Sequence, residues 1–287
     1  MNPKELTAFS ENDVLRVVKY ELNIASERYH SDDCPNAILL AGQPGAGKTV
    51  LSDMFALQYD DDIAFVNGDD YRRQHPHYRE LYKTYGSDFI SMISPFSNEV
   101  ANRLIEEYSD YRYNLMVEGT GRTVEVPKST AEKLTAKGYA VEMAVIAARP
   151  VVSLISTLLR FYDMNKDGTI PRSTAVEAHD NVVKALPGNL DTLVNVPEIQ
   201  RLMIWDREQN CVYDSSDERL PSKALTDYWN AEWSKAEINA VSKDISRLEA
   251  MEEQYCLGQT SVIDELRRRF AQETESHTRN FEQRLSF

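Results

Sequence analysis

The residues with the clearest chemical meaning lie between positions 42 and 49. They are, in order, Gly42, Gln43, Pro44, Gly45, Ala46, Gly47, Lys48 and Thr49. This stretch fits G-x-x-x-x-G-K-[ST], a loop whose glycines turn tightly and point backbone N–H groups at a phosphate chain. Lys48 is expected to reach the β- and γ-phosphates of ATP, and the Thr49 hydroxyl is expected to hold Mg²⁺. The sequence therefore predicts an ATP site at these residues.

Acidic residues follow two apolar segments further along the chain. Asp69 and Asp70 come soon after residues 63–66, and Glu118 directly follows residues 113–117. Because the carboxyl ends of parallel strands share one edge of a sheet, Asp69 or Asp70 should face the reacting end of the nucleotide. P-loop proteins keep a Mg²⁺-side carboxylate at such a strand end, so Glu118 is the second candidate metal ligand. Capping of a helix in a polar turn is the alternative for the two aspartates.

Two further groups could act on a substrate. Glycines on both sides of Thr120 predict an open turn, from which Thr120 and Arg122 can face the cleft, although an exposed arginine in a glycine turn is the alternative. Arg160 and Arg172 lie on either side of a segment that we predict to be flexible. Lids that bring cations onto a transferring phosphoryl group are common, but surface salt bridges remain the alternative for both arginines.

The flexible segment itself, residues 163–168, fits the first half of a calcium loop, D-x-N-x-D-G. Its twelfth position is Thr174, where a bidentate glutamate is required, so calcium binding is disfavoured. Gly168 also occupies the place of the last aspartate in the guanine-binding pattern N-K-x-D, which disfavours a GTPase. We interpret the segment as a mobile loop between helices.

Hydrophobic periodicity predicts the elements that must position these side chains. Buried strands are expected at 37–41, 63–66, 113–117, 140–147, 202–205 and 211–213, the last two forming a hairpin-like end to the sheet. Helices are expected at 11–29, 50–57, 87–108, 126–137 and 173–186. One more helix is expected to end at about Tyr85, and another to begin at Pro150. This alternation predicts an α/β fold, a P-loop kinase-like, mostly parallel sheet with helices on both faces. We assign residues 1–220 to that domain and residues 221–287 to a helical C-terminal extension.

Composition limits the classes of function. The chain has 287 residues, 42% of them hydrophobic, and a formal net charge of −14. That charge argues against a nucleic-acid partner but permits a basic protein partner. The absence of a long apolar run argues against a membrane span, and the N-terminus lacks a signal-peptide core. With three widely separated cysteines that lack metal-binding spacing, the sequence predicts a cytoplasmic protein.

Taken together, these residues resemble the sequence pattern of the zeta toxin family. Its members are kinases of bacterial toxin–antitoxin pairs. The resemblance covers roughly residues 35 to 215. It rests on the P-loop, Asp69 with Gln74-His75-Pro76, Pro95-Phe96-Ser97-Asn98, the stretch 118–123, Arg160, and Arg172 with Ala178-His179-Asp180.

The resemblance implies an ATP-dependent kinase that phosphorylates the 3′-hydroxyl of the amino sugar in UDP-N-acetylglucosamine and so poisons cell-wall synthesis. It also implies an antitoxin partner whose helix blocks the ATP site. Lys48 and Thr49 would handle phosphates and Mg²⁺, and Asp69 would be the base that accepts the hydroxyl proton. The substrate side would be lined by Glu118, Thr120 and Arg122, while Arg160 and Arg172 would neutralise the transferring phosphoryl group.

One position departs from the family pattern. Family members carry an acidic residue that contacts the sugar on the helix after the Ser-Asn pair, and the matching residue in this chain is Asn102. Glu99, one turn earlier, could substitute for it, or Asn102 could accept the same hydrogen bond. Two alternatives stay open: a P-loop kinase of another small-molecule or polynucleotide hydroxyl, and a non-catalytic ATP-binding protein whose tail binds a partner.

Overall fold

Strands and helices alternate along most of the chain. The computed structural model describes residues 3–285, with the backbone alone described at residue 87 and at residues 275–285. The strands are β1 (Asn36–Ala41), β2 (Ala64–Asn67), β3 (Leu115–Glu118), β4 (Ala140–Ile146), β5 (Arg201–Trp205) and β6 (Cys211–Asp214). The α-helices are α1 (Pro3–Leu6), α2 (Glu11–Arg28), α3 (Lys48–Gln58), α4 (Gly68–Tyr71), α5 (Tyr78–Tyr85), α6 (Phe89–Asp110), α7 (Glu125–Ala136), α8 (Pro150–Lys166), α9 (Val176–Leu193), α10 (Pro221–Trp229), α11 (Lys235–Tyr255) and α12 (Thr260–Leu285).

The six strands form one sheet in the order β2-β3-β1-β4-β5-β6. Neighbours from β2 to β5 are parallel, and β6 is antiparallel to β5, which confirms the mostly parallel sheet with a hairpin end. Glu118 pairs in register with Leu40 of β1 and with Asn67 of β2. This register sets the loops that follow β1, β2 and β3 side by side at one edge, where an open α/β sheet binds its ligands.

Alternate side chains of β1 enter two different hydrophobic clusters, which confirms that both faces of the sheet are covered. Ala37, Leu39 and Ala41 pack with buried residues of α2, α6, α7, α9 and α10. Ile38 and Leu40 point to the other face and pack with Leu51 and Phe55 of α3. Full burial of each large apolar side chain contributes about 1.5–3 kcal/mol to the stability of the fold, so the clusters on both faces stabilise the sheet.

The C-terminal helices pack on the body of the protein. Leu248 of α11 and Ile263, Leu266 and Phe270 of α12 share a buried cluster with residues of α8. The Tyr162 hydroxyl of α8 donates to Glu252 Oε2 at 2.6 Å, and Glu252 also accepts from the backbone N–H groups of Leu257 and Gln259. The helical extension is thereby confirmed, while the domain boundary at residue 220 stays a prediction.

The predicted mobile loop at residues 163–168 differs from the structure. Helix α8 continues to Lys166, so Asp163 lies in its last turn and its carboxylate accepts a hydrogen bond from Arg247 Nη2 at 2.7 Å. The helix ends at Lys166, and Gly168, two residues later, has a φ of +67° that favours glycine. The calcium-like spacing is therefore part of a helix end that is anchored to α11.

Helix α9 also differs from its predicted span of 173–186. It begins at Val176, because Ala175 has an extended ψ of 134°, and it runs through Pro187 to Leu193. Proline removes one helix hydrogen bond. Leu186, Leu190 and Leu193 are fully buried on the core side, and this packing maintains the helix across Pro187.

Among the described residues, no helix combines the length and the hydropathy that crossing a lipid bilayer requires.

Candidate nucleotide and phosphoryl-transfer site

The P-loop connects β1 to α3 and has the backbone of a phosphate cradle. Gly42, Gly45 and Gly47 have φ values of +148°, +74° and +101°, a region in which residues with a side chain are strained. Helix α3 starts at Lys48, and its N-cap residue, Gly47, offers no side-chain acceptor to the first-turn N–H groups. Because those N–H groups carry the positive end of the helix dipole, the loop fits an anionic phosphate chain.

The P-loop rests against the first turns of α8. Gln43 is fully buried, and its Nε2 donates to Ala148 O at 2.7 Å and to Ser153 Oγ at 3.3 Å. A Cβ built on Gly45 would lie 2.1 Å from Ser153 O, so only glycine fits there. The Gln43 side chain is thus turned into the protein, and its backbone is the part that could contact a nucleotide.

Arg207 is a P-loop contact that the sequence analysis missed. Its guanidinium donates to Gly45 O at 2.6 Å, Ala46 O at 2.9 Å and Ser156 Oγ at 3.2 Å. The residue comes two positions after β5, so its place at the carboxyl end of a parallel strand was the signal available in the sequence. Arg207 ties the last parallel strand and α8 to the nucleotide loop.

Lys48 and Glu118 form a half-buried pair at the centre of the edge. Lys48 Nζ donates to Gly42 O at 3.1 Å and lies 3.7 Å from Glu118 Oε1. Burial lowers the pKa of Lys48, an effect opposed by the charges of Glu118 and Asp69. Burial likewise raises the pKa of Glu118, and Lys48 opposes that shift. Both side chains lie at the edge of the sheet where β1 and β3 end.

Asp69 follows β2 in the first turn of α4. The cap of this helix is Asn67, whose Oδ1 accepts from Asp69 N at 3.0 Å. The Asp69 carboxylate is therefore free for ion pairs, and it lies 2.6 Å from Arg72 Nη2 and 3.8 Å from Arg172 Nη1. Asp70 is more exposed to solvent than Asp69, yet partial desolvation is the main cause that raises its pKa. The capping alternative does not describe Asp69.

Arg160 and Arg172 meet at this same cluster. Burial is the main cause that lowers the pKa of Arg160, the charge of Arg172 lowers it further, and the charges of Asp69 and Glu118 raise it. The Nε–H groups of Arg72 and Arg172 are buried without an acceptor among the described residues. The cluster therefore holds more donors than the protein satisfies, as a site for a phosphoryl group would. Arg72 was not predicted, although it lies one helical turn after Asp69.

The residues predicted to hold Mg²⁺ flank the P-loop. Thr49 lies in the first turn of α3, and Glu118 ends β3. After burial, which raises the pKa of Glu118, the charges of Lys48 and Arg160 lower it and those of Asp69 and Asp70 raise it. Among the described residues, no group of three or more His, Cys, Asp or Glu has a metal-binding arrangement. A threonine hydroxyl and one carboxylate fit Mg²⁺, which takes its other ligands from substrate phosphates and water.

The predicted substrate residues lie in two places. Thr120 and Arg122 are in the loop after β3, where Arg122 N donates to Thr120 Oγ1 at 3.3 Å and Asn189 Nδ2 donates to Arg122 O at 2.7 Å. Glu99 and Asn102 are exposed on α6. They line a cleft of about 460 Å³ whose walls are α6 and α7, ending at Lys137. The structure thus places these two residues beside α7, and their contact with a sugar stays a prediction.

Sequence comparisons identify relatives over most of the chain. The sequence model described as "Zeta toxin" matches residues 21–218. Toxin PezT of Streptococcus pneumoniae serotype 4 (strain ATCC BAA-334 / TIGR4) is 35% identical over 248 residues, which cover 85% of this chain and 97% of that protein. Toxin zeta of Streptococcus pyogenes is 39% identical over 184 residues, 64% of each protein.

Solved structures agree with the sequence relatives. A chain from the PezAT chromosomal toxin–antitoxin system of Streptococcus pneumoniae superposes with a TM-score of 0.77 at 32% identity, covering 86% of this chain and 99% of that one. A chain from the AvrRxo1-ORF1:-ORF2 complex with ATP superposes with a TM-score of 0.58 at 15% identity, covering 85% and 84%. The latter likeness concerns the fold alone. With the strand order, these likenesses confirm the predicted α/β, P-loop kinase-like fold.

Proposed function

Because the chain belongs to the zeta toxin family, as its motifs indicated, we propose that it transfers the γ-phosphoryl group of ATP to the 3′-hydroxyl of the amino sugar of UDP-N-acetylglucosamine. The observation that carries this proposal is the position of the Asp69 carboxylate. It lies between Arg72 and Arg172, on the same sheet edge as Lys48 and Glu118. A carboxylate at the reacting end of an ATP site is placed to accept a hydroxyl proton.

The reaction assigns a role to each member of the cluster. Lys48 and the free N–H groups at the start of α3 hold the phosphates. Asp69 takes the proton of the sugar hydroxyl while the hydroxyl oxygen bonds to the γ-phosphorus. The bond from that phosphorus to the β–γ bridging oxygen breaks, which releases ADP. Arg160 and Arg172 stabilise the charge on the transferring group. Mg²⁺, held by Thr49 and Glu118, would neutralise phosphate charge when bound.

We also propose that this protein is the toxin of a toxin–antitoxin pair in the cytoplasm. Its similarity to PezT, and to a structure from the PezAT toxin–antitoxin system, supports this role. Phosphorylation of the 3′-hydroxyl would block the position at which the next wall enzyme must act. Such a kinase needs restraint in its host, and an antitoxin covering the P-loop would supply it by competing with ATP.

The experiment that tests the proposed function is incubation with ATP, Mg²⁺ and a panel of UDP-sugars, followed by mass spectrometry. We expect UDP-N-acetylglucosamine to gain one phosphoryl group, and Lys48→Ala to abolish the product because Lys48 meets the phosphates. Transfer to a different hydroxyl compound would favour the alternative of another small-molecule kinase. ATP binding without transfer to any acceptor would favour a non-catalytic ATP-binding protein.

A further inference from the structure

A chain of polar contacts, buried at its P-loop end, connects the C-terminal helix α12 to the P-loop. It begins at Gln43, whose Nε2 donates to Ser153 Oγ of α8 at 3.3 Å. Ser153 Oγ lies 2.8 Å from His179 Nε2 of α9, and His179 Nδ1 lies 3.1 Å from Asp180 Oδ1. Ser153 and His179 are both fully buried. These contacts join the nucleotide loop to two helices that follow it by more than a hundred residues.

The order Ser153, His179, Asp180 has the connectivity of a nucleophile, a base and an acid. It cannot serve hydrolysis, because the Ser153 side chain has no solvent exposure through which a carbonyl substrate could reach it. The contacts instead constrain the direction of the hydrogen bonds. A carboxylate at Nδ1 favours the imidazole proton there, so Nε2 can accept the Ser153 hydroxyl proton, for which Pro150 O at 2.9 Å is the competing acceptor, and the serine oxygen can accept the Gln43 amide.

Arg269 of α12 fixes the acidic end of this chain. Its Nη1 and Nη2 donate to the two oxygens of Asp180 at 2.8 Å and 2.7 Å, and its Nε donates to Glu265 Oε1 at 2.7 Å. A two-pronged contact of this kind orients a carboxylate plane as well as neutralising it. Leu266 and Phe270, on either side of Arg269 along α12, are buried in the cluster with α8. Helix α12 is therefore held in one position relative to Asp180.

We propose that α12 sets the ATP affinity of the P-loop through Arg269, Asp180, His179, Ser153 and Gln43, with Arg269 as a positioning residue. The reason is geometric. Among the described contacts of the Gln43 side chain, the hydrogen bonds to Ala148 O and Ser153 Oγ are the ones that fix its orientation. Gly45 lies against the backbone of Ser153. A change in the Ser153 hydroxyl therefore reaches the backbone that would hold the phosphates.

This inference rests on the ATP site of the proposed function but needs no sugar substrate to test. The measurement is calorimetric binding of a non-hydrolysable ATP analogue with Mg²⁺ to the 287-residue chain. Arg269→Gln and Ser153→Ala should each weaken binding by about threefold to tenfold, the range of one side-chain hydrogen bond. The double variant should bind no more weakly than the weaker single variant, because both changes interrupt one chain of contacts.

Arg267→Gln is the matched control. Arg267 lies on the same helix and pairs with Glu249 of α11, an interhelix contact that does not lead to the P-loop. We expect it to bind the analogue within about twofold of wild type, as surface pairs contribute little. Arg269→Lys keeps the charge but loses the two-pronged geometry, so its affinity should lie between those of wild type and Arg269→Gln.

Turnover gives a second readout that general destabilisation would not produce. In Arg269→Gln the KM for ATP should rise while kcat changes by less than about twofold, because the variant alters nucleotide binding and not the reacting groups. Three results would each overturn the inference. The first is an equal affinity of Arg269→Gln and Arg267→Gln for the analogue, and the second is that the effects of Arg269→Gln and Ser153→Ala multiply in the double variant. The third is a folded wild-type chain that does not bind the analogue. In the last case the proposed function fails as well, whereas the first two leave it standing.

Discussion

At the scale of single residues, Asp69 and Asp70 are neighbouring carboxylates in different surroundings. Asp69 pairs with Arg72 and Arg172, while the more exposed Asp70 has a pKa that partial desolvation raises. We expect Asp69→Asn to retain ATP binding and to lose about 10²–10⁴-fold in transfer rate, because the amide keeps the shape but cannot take a proton. Initial rates with saturating ATP measure this loss.

Asp70→Asn is the matched control for that change. It removes a charge one residue away without touching the carboxylate that we assign as the base. If Asp70→Asn were inactive and Asp69→Asn active, the base would be Asp70 and its raised pKa would be part of the mechanism.

The two arginines opposite Asp69 give a second prediction at this scale. Arg160→Ala and Arg172→Ala should lower kcat far more than they weaken ATP binding, since both charges act on the phosphoryl group in flight. Removal of an arginine finger costs about 10³–10⁵ in rate, which sets the largest loss that we expect. Separate measurements of kcat and of ATP affinity by calorimetry distinguish the two effects.

Arg247→Ala is the comparison for the arginine variants. Arg247 of α11 pairs with Asp163 in the last turn of α8, one turn after Arg160, and both of the paired side chains are about half exposed. Its loss should leave kcat near wild type. If the kcat values of Arg160→Ala and Arg172→Ala equalled that of Arg247→Ala, the two arginines would have a structural role and no role in phosphoryl transfer.

At the scale of elements, the contact between the P-loop and α8 depends on the missing side chain of Gly45. We expect Gly45→Ala to abolish ATP binding, because its Cβ would lie 2.1 Å from Ser153 O and force the two elements apart. Gly168→Ala measures the cost of the backbone conformation alone, because Gly168 has a similar φ of +67° but a Cβ built there would have no atom within 4 Å. That variant should cost about 1–2 kcal/mol of stability and still bind ATP.

Calorimetry with an ATP analogue and thermal unfolding of both glycine variants provide the measurement. Tight binding by Gly45→Ala would show that α8 can move away from the loop without loss of the site, contrary to the packing described above.

The helix pair α8 and α9 carries a pH-dependent contribution through His179. Burial lowers the pKa of His179 below its ordinary value of 6.5, so the unfolded chain takes up a proton first as the pH falls. His179 therefore contributes stability that is complete above pH 6.5 and is lost as the pH falls toward the lowered pKa of the folded state. We expect the unfolding free energy of His179→Gln to fall less steeply than that of wild type below pH 6.5.

Urea unfolding of both proteins between about pH 5 and pH 8 measures the difference between the two curves. His75 also has a pKa lowered by burial, so wild type and His179→Gln should both retain its share of the pH dependence. Parallel curves for wild type and His179→Gln would show that the imidazole does not titrate differently in the folded and unfolded states.

At the scale of the whole molecule, the cluster, the fold and the proposed substrate predict an effect on cells. Induction of the wild-type protein alone in growing bacteria should arrest or lyse them, and Asp69→Asn should be harmless, because depletion of a wall precursor requires transfer. Growth curves and the pool of phosphorylated UDP-sugar, measured together, test this. Normal growth on folded and active protein, with no phosphorylated UDP-sugar, would reject the toxin role.

The fold could be predicted from the sequence in most of its elements. The apolar runs at 37–41, 63–66, 113–117 and 140–147 match β1 to β4 within two residues, because buried parallel strands are continuously apolar and polar turns bound them. Helix α9 is where periodicity failed. Pro187 marks a local break, but the burial of Leu190 and Leu193 against the sheet is a tertiary contact that no local pattern contains.

The sequence alone determined which residue types the candidate site contains, because the types and spacing of residues 42–49, the acids after β2 and β3, Arg160 and Arg172 are local facts. Only the tertiary structure decided which groups meet. Strand order brought Asp69 to Arg172 across the edge, and it placed Arg207 and Ser153 against the P-loop from positions more than a hundred residues away. Such contacts depend on how helices cross the sheet, which packing of the whole core fixes and which a one-dimensional pattern does not encode.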